Sequence, residues 1–553
     1  MTTFRGPPAA TEEGVGALTM GGLLAEVAPR FGSRPAVVFH GSGGIVGWTY
    51  AELADQARLI GRALIGAGVG KGTRVALLMG NRPEWVAAAF AVAMAGGVLV
   101  PLNTYFEPPE LDYVLRHCDA EVVLLQRALG EHAYLDQVAA LAAGRSGSGS
   151  ARLPFLRLAA CLDLDQRDGR VEPWSWLLER AAQVPGELLD ARLAEISPFD
   201  DGHIIYTSGS TAVPKGVLHA HRSAALQSWR FARLFGIGPE ERTWSAYPFF
   251  WTAGFAMVMG ATLAAGGCLV LQERFEPGEA LALLEAERVT TPFAWPHQQA
   301  QLEDHPEWAV RDLSAIRHAE SFGSFARHPK VRVGDEWSPR SAYGLTETFT
   351  IVTAVPASMN AAERDGHEGR VLPGNALRIL DPESGRPAGR GSEGEIAVRG
   401  TTLMKGYVKT APERCFDEDG FFHTGDAGFL DERGMLHWTG RTSDLIKTGG
   451  ANVSPAEIEL ALLRHPRLKA ALAVGVAHPT LGQQVVVCAV THDGVKLDEA
   501  EVRDFLRGRI ASYKIPRRVM FFDEAELSFT ANAKIRSEQL RTLATARLQA
   551  ESS

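Results

Sequence analysis

The chain has 553 residues, of which 46% are hydrophobic and 22% charged, and a formal net charge of −9. At roughly 100–200 residues per domain this is length for about three to five compact units. The composition excludes a disordered, collagen-like or coiled-coil chain, the 57 glycines and 30 prolines exclude a long helical rod, and the acidic balance asks for no nucleic-acid partner.

In chain order, Met1–Gly16 is polar and lacks the apolar core of a signal peptide, which predicts a cytoplasmic protein. Arg74–Met79 reads as a buried strand, Pro83–Met94 as a helix and Gly97–Pro101 as the next strand. Helix Glu110–His117 and strand Ala120–Leu125 follow. This alternation predicts an α/β fold with a mostly parallel sheet covered by helices. Gly144–Ser150 reads as a flexible surface insertion. The uncharged stretches Val86–Leu102 and Tyr247–Gln272 are interrupted by glycine and proline. They read as buried elements, the second as a helix followed by strand Cys268–Gln272, and no membrane span is expected. From about residue 365 the texture becomes β-rich, with strands at Ala376–Leu380 and Gly394–Gly400. From about 443 it returns to α+β, with helices at Pro455–Arg464 and Asp498–Ile510 and strands at Ala470–Val476 and Gln484–Val490. The expected division is a large N-terminal domain over 1–441, its β-rich part at about 365–441, and a small mobile C-terminal domain over 442–553. The five cysteines, 118, 161, 268, 415 and 488, are far apart and form no CxxC, so free buried thiols are expected.

The stretch with most chemistry is Tyr206-Thr-Ser-Gly-Ser-Thr-Ala-Val-Pro-Lys-Gly216, which follows a short apolar strand, His203–Tyr206. Closely spaced hydroxyls, a glycine and Lys215 suit a loop that wraps phosphate oxygens, although the same texture occurs in ordinary loops. The spacing is not that of a Walker A loop.

This segment resembles the YTSG[ST]TGxPKG signature of the adenylate-forming superfamily, which includes acyl-CoA synthetases, peptide-synthetase adenylation domains and luciferase. Ala212 stands where the family has Gly. Further blocks resemble the family in order: Trp48–Leu53, Asn81–Trp85, Gly96–Asn103, Tyr343-Gly-Leu-Thr-Glu347, Thr424-Gly-Asp426 with Gly440-Arg441, Ser454–Glu459 and Tyr513–Pro516. The resemblance covers about residues 40–540 and is most like an AMP-forming acyl-CoA synthetase.

It implies ATP, Mg²⁺ and CoA as the small molecules used. Thr207, Ser208, Gly209, Ser210, Thr211 and Lys215 would hold ATP phosphates. Glu347 would carry Mg²⁺ and Thr346 would bond the α-phosphate. Tyr343 would lie against the adenine, with Gly323 allowing close approach. Asp426 would accept the ribose hydroxyls, and Arg441 would approach ribose and phosphate. Lys534 resembles the mobile catalytic lysine, although Ser528, Phe529 and Ala533 depart from the family's Pro, basic residue and Gly. Ser443 falls at the hinge position, and Gly449 and Gly450 would line the pantetheine path. The acid would meet Phe250, Trp251, Phe255 and Gly344, with Trp251 read as a gate or a core aromatic. That block holds no carboxylate, which favours a fatty, aryl or alicyclic acid without an α-amine. His219 and His221 read as structural or solvated.

The reading is an acid:CoA ligase that forms acyl-AMP and pyrophosphate and then acyl-CoA and AMP. Two alternatives stand beside it. A stand-alone acyl-AMP ligase would load a separate acyl carrier protein. A degenerate relative would bind nucleotide or acyl ligand with poor turnover. A homodimer is left open.

Overall fold

The computed structural model describes residues 2–41, 43–143, 153–207, 214–320, 323–333, 341–355, 359, 361–364, 366–441, 446–448, 451–453, 455–478, 481–507, 509–510, 514–524, 526–527 and 537–552. It is an α/β protein in which two parallel-containing sheets share one core. The eight-stranded sheet runs, in spatial order, Gly406–Tyr407, Lys215–Ala220, Asp201–Thr207, Val98–Pro101, Arg74–Leu78, Val122–Leu125, Leu158–Cys161 and Val171–Pro173. From Asp201–Thr207 onward its pairs are parallel, and the first two strands close one edge antiparallel. The second sheet orders Thr291–Phe293, Arg242–Ser245, Cys268–Leu271, Pro35–Gly41 and Gly44–Thr49, parallel except for the final hairpin.

Helix Pro83–Met94 starts with proline at its first turn, where a missing N–H costs nothing, and nearly every side chain in it is buried. A helix apolar on all faces belongs between layers rather than on a surface, and this one joins the core that both sheets share. Helix Tyr50–Gly66 beside it is fixed by a Thr49/Glu52 capping box. Helix His221–Phe235 ends at Gly236 in the left-handed conformation, φ 61°.

Of these elements the sequence placed Arg74–Leu78, helix Pro83–Met94, Val98–Pro101, Val122–Leu125, Asp201–Thr207 and Cys268–Leu271 to within two residues, and it did not assign the others. The expected helix after Tyr247 takes another form: Ala253–Gly260 is a wide helix that only at Ala261–Ala264 tightens to α, before strand Cys268–Leu271. Its glycines fit closely. A Cβ on Gly254 would sit 2.1 Å from the Pro248 carbonyl oxygen, and one on Gly260 would sit 2.0 Å from Ser228 Oγ. Helix Asp498–Ile510 is also shorter than expected, ending at Leu506 with Asp498 as its cap.

The β-rich part is not confined to 365–441. Its antiparallel sheet borrows Phe4–Arg5 from the other end of the chain, paired with Asn375–Leu380, then continues through Gly394–Gly400, Phe422–Leu430 and Leu436–Arg441. It also gives up Gly406–Tyr407 to the eight-stranded sheet. A small three-stranded sheet, Ala342–Leu345, Thr350–Ala354 and Arg370–Val371, lies between. Beyond it, Ala451–Val453, Ile446–Thr448, Gly482–Thr491, Leu468–His478 and Arg518–Phe521 form the last sheet, which has its own apolar clusters. Lys469 Nζ and His492 Nδ1 both reach Asp304, each at 3.0 Å, and tie this sheet to helix Pro296–Glu303.

All five cysteines are buried free thiols, and burial pushes Cys118 and Cys488 up to about 12. Among the described residues no helix is long and apolar enough to cross a membrane.

Candidate active site

The site is built around one strand and turn, Ala342 to Ile351. Strand Ala342–Leu345 turns through Thr346–Thr348 into Thr350–Ala354, and Gly344 pairs with Ile351 across the turn. A Cβ on Gly344 would fall 1.5 Å from the Thr350 carbonyl oxygen, so only glycine fits there. The turn itself is strained. Phe349 and Thr350 have φ of 49° and 96°, a region costly for aromatic and β-branched residues.

Buried side chains hold that turn. His219 Nε2 donates to the Thr346 carbonyl at 2.8 Å, and Gln227 Nε2 donates to the Ile351 and Thr348 carbonyls at 2.8 and 3.1 Å. Phe349 lies edge-on to His219, His203 and Phe255, with centroids at 5.0, 5.5 and 5.9 Å. Burial depresses His219 to about 3 and His221 to about 4, and carries His203 well below its ordinary value, so all three are neutral near pH 7. They are structural and buried, as one branch of the sequence reading had it.

One side of this turn is polar. Tyr343 Oη donates to Asp426 Oδ2 at 2.8 Å, and Arg441 Nε reaches Asp426 Oδ1 at 2.9 Å. Antiparallel pairing sets Asp426 opposite Arg441, which aligns the carboxylate with the guanidinium. Burial, and next the Asp426 charge, push the Tyr343 hydroxyl well up. On the same side Glu347 Oε1 accepts from Tyr407 Oη at 2.7 Å, and Lys215 Nζ stands 5.2 Å from the Tyr407 ring centroid. Lys215 pairs in register with Thr207, so the ends of the 208–213 segment are held together as an antiparallel pair. Tyr407 had no sequence signal. It arrives because Gly406–Tyr407 pairs with Val217–Leu218.

The other side of the turn is a cavity of about 500 Å³. Its apolar lining includes Phe231, Phe235, Met257 and Phe293, and Gly344, Leu345 and Thr346 line it from the strand and turn. Tyr247 and Trp295 lie against each other in it, with centroids 4.2 Å apart. Glu320 also lines it, and burial raises its carboxyl above the ordinary range. No local motif in the sequence singled out Glu320, because a lone glutamate carries none.

The aromatic residues expected at the acid divide differently. Phe255 is 1% exposed and packs on Trp85 and His203, with centroids at 5.8 and 5.1 Å, so its side chain is core rather than cavity wall. Phe250 meets Tyr105 and Trp251, with centroids at 6.0 and 4.8 Å, and lines an adjacent cleft with Asn81, Arg274 and Phe275. Thr252 and Met257 line the cavity from the same segment. Gly323 needs no unusual backbone, and its N–H bonds the Glu320 carbonyl at 2.9 Å. Ser208, Gly209, Ser210, Thr211, Ser443, Gly449, Gly450 and Lys534 lie outside the described residues, as do Gly144–Ser150, Ala212, Ser528 and Ala533.

The turn thus carries a polar wall of Tyr343, Asp426, Arg441 and Glu347 together with an aromatic cavity lined by Gly344, Leu345 and Thr346. The profile of AMP-binding enzymes matches residues 24–408, and that of the AMP-binding enzyme C-terminal domain matches residues 457–534. The chain belongs to the AMP-binding enzyme family. This adenylate-forming enzyme is 33% identical over 519 residues to a feruloyl-CoA synthase of Amycolatopsis sp, covering 93% of this chain and 96% of that one. It is 31% identical over 502 residues to an indoleacetate–CoA ligase of Aromatoleum aromaticum, covering 90% and 93%. Among solved structures, ATP-bound MatB from Rhodopseudomonas palustris superposes with a TM-score of 0.74 at 28% identity, covering 95% of this chain and 99% of that one. The enzyme is an AMP-forming acid–thiol ligase of the acyl-CoA synthetase kind.

Proposed function

We propose that the ligase activates a bulky apolar carboxylic acid, of aryl or comparable size, as its acyl-AMP and passes the acyl group to the thiol of CoA. The observation that carries this is the position of the 500 Å³ aromatic cavity, which is lined by the same Gly344–Thr346 strand that leads into Glu347. An acid seated there would present its carboxylate beside Thr346. Two of the CoA ligases similar to this chain are named for feruloyl and indoleacetate, both aryl-bearing acids.

In this reading Asp426 and Tyr343 receive the nucleoside. Asp426 has four lone-pair positions, and Tyr343 and Arg441 occupy one on each oxygen. Lys215 and the hydroxyl and N–H groups from Thr207 through Thr211, with Ser208, Gly209 and Ser210, receive the phosphates. Thr346 orients the α-phosphate for in-line attack by the carboxylate. Glu347 offers one hard carboxylate in a site with no cluster of three or more metal-ligating side chains among the described residues, and such a donor fits Mg²⁺ held jointly with phosphate oxygens. When bound, Mg²⁺ neutralises charge on the leaving pyrophosphate. Tyr407 points the Glu347 carboxylate, and Lys534 supplies positive charge between acid and α-phosphate.

For the second step the segment beyond residue 441 pivots at Ser443 and brings Gly449 and Gly450 to the thiol path. An open cleft of about 420 Å³, lined by Tyr105, His132, Arg274 and His297, leads toward Phe250 and offers an approach for CoA. The adenylate leaves as AMP, so no cysteine nucleophile is needed. This accords with five buried thiols, of which burial raises Cys118, Cys161, Cys268 and Cys488.

The test is pyrophosphate release from ATP and Mg²⁺ with a panel of fatty, aryl and alicyclic acids, with and without CoA, and mass-spectrometric identification of products. Acyl-CoA from aryl-sized acids is the expected result. Acyl-AMP that persists in the presence of CoA would assign the thiol to a carrier protein, and silence with every acid would overturn the reading.

A further inference from the structure

The acid cavity is mostly aromatic, yet three of its polar groups stand without a partner. The Trp295 indole Nε1 is buried with no hydrogen-bond acceptor. The Tyr247 hydroxyl, raised by burial and next by Glu320, has no hydrogen bond among the described residues. The Glu320 carboxyl has neither a cation nor a donor there, and desolvation is the one cause of its shift. A polar group left unpaired in a desolvated cavity is one that a bound ligand can satisfy. On the Asp426 side of the same turn, by contrast, each carboxylate oxygen is engaged.

The three groups are also placed together. Trp295 and Tyr247 are in ring contact at 4.2 Å, and Glu320 is near enough to Tyr247 to raise its hydroxyl. A carboxylate accepts, whereas an indole N–H and a neutral phenol donate. One ligand group can satisfy both roles. An alcohol or phenol donates its proton to the carboxylate and accepts at its oxygen. An ether can only accept, and an unsubstituted ring leaves all three unpaired.

We propose that Glu320 is the specificity-determining residue of the acid cavity, and that with Tyr247 and Trp295 it recognises a hydroxyl group carried on the body of the acid. This rests on the acid:CoA ligase reading and narrows it from apolar acids to hydroxylated aryl or similarly bulky acids. Such recognition lies away from the reacting carboxylate, so it acts through binding rather than through the bond-making step. A hydrogen bond to a charged acceptor in a desolvated site discriminates by roughly 10–100-fold against the analogue lacking the donor.

The test uses the full-length enzyme and matched acids: 3-phenylpropenoic acid, its 3- and 4-hydroxy forms, and the corresponding methyl ethers. Two readouts are taken for the wild type, Glu320→Leu and Glu320→Gln. They are calorimetric binding of each acid, and kcat/KM for pyrophosphate release. The expected result is that at least one hydroxy acid binds ~10–100-fold more tightly than the parent and its ether, with the difference in KM rather than kcat. Glu320→Leu brings that ratio near one, and Glu320→Gln, which keeps an acceptor oxygen, restores part of it. A hydroxyl preference absent from wild-type binding, or one that survives Glu320→Leu, overturns the proposal. Binding reads this preference without any thioester being formed. A hydroxyl preference in calorimetry with no turnover would therefore refute the ligase reading and leave the recognition standing, whereas turnover without preference does the reverse.

Discussion

The two faces of the Ala342–Ile351 turn are built on opposite principles. On the Asp426 face the carboxylates are already engaged: Tyr343 and Arg441 on Asp426, and Tyr407 on Glu347. On the acid face Tyr247, Trp295 and Glu320 line an aromatic cavity without partners among the described residues. A face that meets the same ligand in each turnover gains from preorganised hydrogen bonds, because no reorganisation is needed as charge develops. A face that selects among acids gains from leaving groups for the ligand to satisfy, because the wrong acid then leaves them unpaired.

The turn itself is what both faces share, so the largest effect is expected where they meet. Gly344→Ala places a Cβ 1.5 Å from the Thr350 carbonyl oxygen, against a backbone already strained at Phe349 and Thr350. The strand must separate. We expect a stability loss of ~3 kcal/mol or more and loss of both ATP and acid binding, read by denaturant unfolding and by calorimetry with each ligand. A variant that lost one ligand and kept the other would show the two faces to be independent.

Asp426→Asn comes next. It keeps the shape but removes the charge on which Arg441 and Tyr343 converge. The KM for ATP should rise ~10–100-fold, with the acid's binding changed far less. An equal loss for both ligands would mean that Asp426 serves the turn rather than the nucleotide. Tyr407→Phe is milder. It removes one hydrogen bond to Glu347 and leaves the ring beside Lys215. The expected change is ~10-fold weaker dependence on Mg²⁺ with little change in acid affinity, measured by titrating Mg²⁺ at fixed ATP. Unaltered Mg²⁺ dependence would detach Glu347 from the metal.

The same contrast explains what could be read from the sequence. The helix Pro83–Met94 and the strand Gly394–Gly400 were legible because composition and punctuation are local. Tyr343, Glu347, Asp426 and Arg441 were legible because they stand in motifs. Tyr407 was not. A two-residue strand carries no periodicity, and its pairing with Val217 and Leu218 spans nearly two hundred residues of chain. Phe4–Arg5 was missed for the same reason. Near the cavity the sequence singled out Phe250, Trp251 and Phe255 but not the directions of their side chains. The wide helix at Ala253–Gly260 turns Phe255 into the core and Met257 toward the cavity, and alternation or a 3.6-residue period does not predict that. Glu320 comes from a different segment altogether, so the search for a carboxylate near Phe249–Phe255 could not find it.

The smallest effect lies behind the turn, in the histidines that support it. His219 and His221 are held neutral by burial, at about 3 and about 4, while the same side chains in the unfolded chain titrate near 6.5. Asp200 and Asp201 face His221 and oppose this shift, and Lys71 and Lys405 add to it. As pH falls below about 6.5 the unfolded chain takes up protons that the native core refuses, so stability declines with each step downward. Each histidine contributes at most ~1.4 kcal/mol per pH unit in that window. Nothing is lost above pH 7, where both states are neutral. His219→Gln retains a donor for the Thr346 carbonyl but cannot be protonated, so it should flatten the fall in urea midpoint between pH 6 and 4.5 by one histidine's share. If the variant's slope matched the wild type's, the acid sensitivity would belong to the carboxylate pairs of the surface. The turn would then owe its shape to the Gln227 hydrogen bonds and to packing around Phe349.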